Sequence, residues 1–161
     1  MEPDNPDDLA LLGSLADALA DAVDAALAPW VERSVDRIAA AYFGVVPPEV
    51  TCAAAAAGRE AVSVEGAEVR ALLAVDVDEQ RANPLAVLRR AVRHATGVLD
   101  DAGVPPVVRA DFEERAFPDD RYGLAPANWA DVDPALHDRG IAWGAAKAHV
   151  VLARRRREGK R

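Results

Sequence analysis

Residues 9–27 read LALLGSLADALADAVDAAL, and this stretch decides the fold class. Its apolar residues recur every three or four positions, which is the period of an amphipathic helix. The recurring positions are Leu9, Leu12, Leu15 or Ala16, Leu19, Val23 and Leu27. Asp17, Asp21 and Asp24 fall on the opposite face, so the pattern predicts a helix that buries one stripe. Pro29 removes a backbone donor, and we therefore expect a kink or the start of a second helix there.

The same kind of pattern continues into the middle of the chain. A helix ending at Gly44 is followed by Pro47-Pro48, and proline suits a first helical turn. Apolar spacing across 48–80 predicts either one long irregular helix or a pair of helices. Asn83-Pro84 joins an N-cap residue to a proline at the first helical position and opens the next helix, which closes at Gly103.

The C-terminal half adds a short helix over 108–116 and a loop over 117–132 that is rich in proline, glycine, aspartate and aromatic residues. Asp133-Pro134 then begins a final helix that runs towards Arg157. The chain shows no strand-like alternation with hairpin turns and no internal repeat. We therefore predict an all-α protein of five to seven helices, packed as a bundle or as an irregular α-domain.

The length of 161 residues is that of a single domain. Residues 1–8 contain two prolines and four acids, and we expect them to be a mobile acidic lead-in. Residues 9–153 form the predicted helical domain, and 154–161 a basic C-terminal tail.

Composition points to a cytoplasmic protein. The N-terminus is acidic where a secretory signal would be basic, and no apolar run approaches the ~20 residues of a membrane span. The single cysteine, Cys52, excludes an internal disulfide, and its small apolar neighbours predict a core position. The bias of 17 Arg over 2 Lys is typical of a GC-rich bacterial genome.

The residues that usually carry catalysis are sparse. No two of the three histidines lie three or four residues apart, so no helix face offers two imidazoles to a metal. Asp133 and His137 have helical spacing, which permits a metal site, but Asp133 fits a helix cap better. His94 follows Arg89, Arg90 and Arg93, which predicts a solvated basic face. Nucleophile-elbow and phosphate-loop motifs are absent, so we predict no cofactor, no metal and no catalytic residues.

The region from residue 112 to 143 holds five of the eight aromatic residues. A long loop with bulky side chains can be a recognition surface, since tryptophan, tyrosine and arginine dominate binding hot spots. The candidate binding residues are Phe117, Asp120, Arg121, Tyr122 and Trp129. In the alternative interpretation, Phe117, Tyr122 and Trp129 fold back as a lid on the core.

Charge is distributed unevenly along the chain. Residues 1–32 carry eight acids and no base, and the formal net charge is −8. Four consecutive arginines, Arg154, Arg155, Arg156 and Arg157, stand near the C-terminus. They are candidates for contact with a polyanion such as RNA, for stabilising a helix C-terminus, or for pairing with the acidic N-terminal helix within one chain or between two copies.

Two blocks of the sequence stand out: Asp76-Val77-Asp78-Glu79-Gln80-Arg81-Ala82-Asn83-Pro84-Leu85, and Phe117-Pro118-Asp119-Asp120 continuing through Trp129-Ala130-Asp131-Val132-Asp133-Pro134. Both blocks resemble small helical proteins of high-GC actinobacteria. The resemblance implies a cytosolic helical protein and brings no activity, cofactor or site residues.

The sequence thus favours a non-enzymatic protein that acts through a protein partner or self-association, as an adaptor, a regulator or a homo-oligomer. The first alternative is a ribosome- or RNA-associated factor that uses Arg154 to Arg157. The second is an enzyme built on Asp133, His137 and nearby acids. No membrane contact is expected.

Overall fold

The computed structural model describes residues 3–74 and 83–159, and in these ranges the chain is helical without any β-strand. The helices are α1 (Pro6–Phe43), α2 (Pro48–Ala61), α3 (Ala67–Leu73), α4 (Pro84–Arg90), α5 (Val92–Asp101), α6 (Asp111–Ala116), α7 (Trp129–Val132) and α8 (Ala135–Gly159). A π-helical segment, Val62–Gly66, joins α2 to α3, and Ala91 alone separates α4 from α5. Counted as continuous segments, the described ranges hold six helices, which confirms the all-α prediction.

The first helix runs through Pro29 without a break, so a second helix, which was one of the two outcomes expected at this proline, does not begin there. Pro29 itself is exposed, whereas Leu27, Trp30 and Val31 on either side of it are buried. Because both halves of α1 bury side chains in one core, tertiary packing holds them in one helix despite the lost hydrogen bond.

Local capping signals set several helix boundaries, and those at Gly44, Asn83 and Gly103 were predicted. The Asn83 side chain accepts a hydrogen bond from Leu85 N at 3.1 Å and caps α4. Gly44 and Gly103 end α1 and α5 with positive φ angles of 78°. The Asn5 side chain caps α1 in the same way, so residues 6–8 belong to this helix and not to a lead-in. At the other end, α8 continues to Gly159 and includes most of the predicted tail.

Over residues 48–73 the chain forms one continuous, irregular helix, which is one of the two predicted possibilities. The helix ends before Ala74, and residues 75–80 of the predicted segment lie outside the described residues. Gly58 lets α2 approach α1 closely, since a Cβ atom there would lie 3.0 Å from Ala28 Cα. The predicted core position of Cys52 is wrong: this side chain is exposed, because the buried stripe of α2 runs through Val50, Ala54 and Ala57 instead.

One main core lies between α1 and the helices packed on it, α2, α3, α5 and α8. Its most deeply buried leucines are Leu19, Leu27, Leu88, Leu99 and Leu136. A smaller cluster joins the N-terminal end of α1 to the C-terminal half of α8 through Leu12 and Val150. Across the described ranges, no helix has the combination of length and apolar character that a membrane crossing requires.

Candidate functional site

The loop after α6 packs against the core through Tyr122. Only 3% of this residue is exposed, and its hydroxyl lies 2.6 Å from Val104 O and 2.9 Å from Asp100 Oδ1. A phenol has one proton to donate, so these two acceptors share it. Burial raises the pKa of Tyr122 above its ordinary 10.0, and the nearby Arg121 charge opposes that rise. Tyr122 therefore fixes the loop and offers little surface to a ligand.

Asp120 is also buried and organises the backbone of the loop. Its Oδ1 accepts a hydrogen bond from Leu124 N at 2.6 Å, and its Oδ2 accepts one from Ala125 N at 2.9 Å. Next to it, Arg121 forms an ion pair with Asp100 at the surface. Both neighbours of Tyr122 thus help to hold the loop in one conformation.

Trp129 opens α7 and packs on α8. Asn128 and Asp131 form a capping box at the start of α7, with Asp131 N donating to Asn128 Oδ1 at 3.2 Å. The indole lies directly over Gly140, where a Cβ atom would come within 2.4 Å of two ring atoms. Glycine is therefore required at this close contact between α7 and α8.

The five candidate residues of the loop do not form one surface. Asp120 and Tyr122 are buried and Trp129 is half-buried, which supports the lid interpretation for this part of the loop. Phe117 and Arg121 are exposed. An alanine at Tyr122 would leave a cavity and an unpaired carbonyl, so this substitution cannot test binding without disturbing the fold.

A cleft of about 440 Å³ lies beside α6, and we refer to it as the α6 cleft. Phe112 and Phe117 are its apolar walls, and Arg89 and Arg109 are its basic residues. A second cleft of about 300 Å³ adjoins the first and shares Arg89, Phe117, Asp120 and Ala125 with it. Of these residues, the sequence had singled out only Phe117 and Asp120 for binding. The sequence feature that could have indicated the other residues of this cleft is Phe112, a large apolar residue among the charged residues of a short predicted helix.

The two arginines of the α6 cleft are half-buried and bind backbone carbonyls. Arg89 donates from Nε to Pro126 O at 2.9 Å and from a terminal nitrogen to Ala127 O at 3.2 Å. Arg109 donates to Phe117 O at 2.9 Å, while its Nε is buried and has no hydrogen-bond partner among the residues that the structure describes. A buried donor without a partner is uncommon in folded proteins.

The C-terminal arginines divide into two pairs. Arg154 binds Asp4 through Nε, at 2.9 Å from Oδ2 and 3.0 Å from Oδ1, and Arg157 contacts the same carboxylate. The hydrogen bond from Arg154 lowers the pKa of Asp4 below its ordinary 3.8. Arg155 and Arg156 are exposed. Two of the predicted roles fit these positions. Arg156 and Arg157 lie in the last turn of α8, and Arg154 and Arg157 pair within one molecule with the acidic N-terminal region, through Asp4 just before α1.

A further charged cluster, which the sequence analysis missed, surrounds the π-helical segment. Glu65 has 1% of its side chain exposed and accepts from Arg93 Nε at 3.1 Å. His94 lies on the other carboxylate oxygen, at 2.6 Å. The predicted solvated position of His94 is wrong, since only 7% of its side chain is exposed. The pair joins the π-helical segment to α5, and neither residue lines the two clefts beside α6.

The predicted cap at Asp133 is confirmed, because its Oδ1 accepts a hydrogen bond from Ala135 N at 2.9 Å. His137, its partner in the possible metal pair, is exposed on α8. Within residues 3–74 and 83–159, no group of three His, Cys, Asp or Glu side chains has an arrangement that could hold a metal ion.

Comparison of the chain with protein-family models, with curated proteins and with solved structures found no match. The candidate site is a cleft on an all-α fold, and its lining includes two phenylalanines and two arginines.

Proposed function

We propose that this protein works in the cytoplasm by binding another protein through the residues around α6, and not by catalysis. The observation that carries the proposal is the exposure of large apolar side chains in a short stretch, residues 107–117. Val108 is 96% exposed and Phe112 is 70% exposed, with Val107 and Phe117 also in solvent. The helix between them, α6, buries none of its side chains. Apolar surface of this kind is typical of protein-interaction sites.

Hydrogen bonds hold both ends of the segment that carries these apolar residues. Val107 N donates to Arg121 O at 3.0 Å, and Arg109 donates to Phe117 O at 2.9 Å. Tyr122 then ties the far end of the segment to Val104. A surface that is already positioned loses less conformational entropy on binding, which favours its use in recognition.

The lining of the α6 cleft indicates what kind of partner it suits. Two guanidinium groups, of Arg89 and Arg109, are balanced by the carboxylates of Glu113 and Asp120, so the formal charges of the lining cancel. Hydrogen-bond donors and acceptors beside two aromatic rings match an uncharged peptide backbone with one apolar side chain. The partner we propose is therefore an apolar peptide segment of another protein, with its side chain between Phe112 and Phe117.

The test begins with a photo-crosslinking amino acid placed at Phe112 in the source cells, and at Val45 as the control. Val45 is 84% exposed and lies between α1 and α2, beside the exposed Tyr42 and Phe43. The protein crosslinked from Phe112 is then purified, and its affinity is measured by calorimetry against Phe112→Ser and Val45→Ser variants.

We expect Phe112→Ser to weaken binding about tenfold or more, as hot-spot residues do, while Val45→Ser leaves the affinity unchanged. Since α6 has no buried side chain, Phe112→Ser should keep the fold, which circular dichroism checks. Equal affinity of wild type and Phe112→Ser, or a loss confined to Val45→Ser, would contradict the proposal.

The RNA-associated alternative has less support. Two of the four arginines on which it depends, Arg154 and Arg157, already bind the Asp4 carboxylate. Phosphate contact would then depend on Arg155 and Arg156 alone, and their attraction is opposed by a chain of formal net charge −8.

A further inference from the structure

The second cleft and the α6 cleft form one continuous groove. The four lining residues that they share are Arg89, Phe117, Asp120 and Ala125. From these residues the second cleft extends to Ala86 on α4 and to Val92 at the start of α5. A peptide that passes Phe117 in the α6 cleft can therefore continue into the second cleft.

The lining of the second cleft is mostly apolar. Val92 is 3% exposed and belongs to the main core, so the cleft reaches the edge of that core. Ala86 and Ala116 are exposed, and their small side chains leave the cleft open. Its volume of about 300 Å³ is sufficient for one large apolar side chain. The other apolar residues of the lining are Phe117, Pro118 and Ala125.

The charged residues of this cleft do not favour a charged ligand. Two arginines and two aspartates line it, so their formal charges cancel: Arg89, Arg90, Asp119 and Asp120. Arg89 donates to two backbone carbonyls, and Asp120 accepts from two backbone N–H groups. Arg90 forms an ion pair with Glu68. Asp119 is exposed, where a new ion pair would add little. A charged ligand would compete with the existing contacts, whereas an apolar side chain leaves them intact.

We infer that the second cleft holds a second apolar side chain of the peptide that binds at α6. Recognition then requires two apolar residues on one side of the bound segment, and burial of both contributes to the affinity. This inference rests on the proposed function and adds the pattern that the partner must carry. Ala86 and Ala116 determine the size of the second residue, because their small side chains leave the room that it occupies.

The distance between the two clefts is fixed by residues that line both of them. Arg89 joins α4 to the backbone at 126–127, and Asp120 holds the backbone at 124–125. The two apolar residues of the peptide should therefore stand at one constant spacing in its sequence.

Selection of a phage-displayed library of random peptides on the immobilised full chain tests the inference. Peptides that wild type retains and Phe112→Ser does not should share two apolar residues at one spacing. A synthetic peptide with this pattern is then measured by calorimetry against wild type, Ala86→Phe and the control Ala56→Phe. Ala56 is exposed on α2 and lines neither cleft. Circular dichroism checks that each variant keeps its helical fold.

Ala86→Phe places a ring in the second cleft and should weaken binding about tenfold, while Ala56→Phe should bind like wild type. Replacing one of the two apolar residues of the peptide by serine should have little further effect on Ala86→Phe. Replacing the other should have little further effect on Phe112→Ser. This loss of additivity assigns each residue of the peptide to its own cleft.

The outcomes separate this inference from the proposed function. Peptides with a single apolar position, or an affinity that Ala86→Phe leaves unchanged, would overturn the inference, while the effect of Phe112→Ser still supports peptide binding at α6. If wild type retains no peptide, or the same peptides as Phe112→Ser, the proposed function fails and this inference fails with it.

Discussion

His94 Nε2 lies 2.6 Å from Glu65 Oε2, and both side chains are almost entirely removed from solvent. Glu65 belongs to the π-helical segment and His94 to α5, so the contact joins two helices that are distant in sequence. Arg93 completes the cluster by donating to the other oxygen of Glu65. A buried carboxylate needs such partners, because burial without them would strongly disfavour its charged form.

We expect Glu65→Gln to lower the free energy of unfolding by about 3 kcal/mol, the usual size for removing one partner of a buried pair. The amide keeps the shape of the side chain but loses its charge, and His94 loses a charged acceptor. Urea denaturation followed by circular dichroism measures the change.

Glu68→Gln is the matched control for that measurement. Glu68 pairs with Arg90 between the same two parts of the chain, but 40% of the Glu68 side chain and 61% of the Arg90 side chain are exposed. Exposed ion pairs contribute at most about 1 kcal/mol, so this variant should unfold almost like wild type. Equal losses for the two variants would show that the burial of Glu65 does not matter.

A second prediction concerns the contact between α7 and α8. Gly140→Ala should destabilise the protein by about 2 kcal/mol, since the new methyl would overlap the Trp129 ring and force the two helices apart. Gly144→Ala is one turn further along α8 and meets nothing within 4 Å. It should stabilise the protein by about 0.5–1 kcal/mol, because alanine favours the helix. Thermal unfolding of both variants measures the contrast; effects of the same sign would contradict it.

Much of the fold could be predicted because its signals are local. Asn83 caps its helix and Gly44 ends one through interactions within a few residues, and both positions follow from sequence patterns alone. The continuity of α1 through Pro29 could not be predicted, since it depends on packing against distant helices. The π-helical segment could not be predicted either. Its wider turn changes which side chain points towards the core, and Glu65 is the residue that becomes buried there.

The candidate site was predicted only in part. Aromatic composition pointed to residues 117–132, but it cannot distinguish a side chain that anchors a loop from one that offers a surface. Tyr122 holds the loop on the core because its hydroxyl donates a hydrogen bond to Val104 O. Phe112, in the short helix before the loop, is exposed to solvent. Pairing of the acidic N-terminal helix with the C-terminal arginines was one of several open interpretations, since charge alone does not show which groups meet. The acid that Arg154 binds, Asp4, lies before that helix in the segment predicted to be mobile.

A third prediction follows from the burial of Tyr122. Tyr122→Phe should lower the free energy of unfolding by about 1 kcal/mol, because Val104 O loses its donor. The raised pKa of Tyr122 also has a consequence at high pH. The contribution of the Tyr122 hydroxyl to the free energy of unfolding is complete below its ordinary pKa of 10.0, and it is lost as the pH rises through the higher folded-state pKa. The stability difference between wild type and Tyr122→Phe should therefore shrink at strongly alkaline pH; a difference that stays constant there would contradict the assignment.

The fourth prediction concerns the Asp4 carboxylate at the junction of α1 and α8. Hydrogen bonds from Arg154 and Arg157 lower its folded-state pKa below 3.8, so its contribution to stability is complete above 3.8 and is lost as the pH falls through the lower value. A carbon-detected NMR titration of the Asp4 carboxyl should give a pKa below 3.8, and Arg154→Gln should raise it towards that value. Arg155→Gln is the control, because Arg155 is exposed beside it and should leave the titration unchanged. An Asp4 pKa that does not respond to Arg154→Gln would show that this ion pair does not hold the two chain ends together in solution.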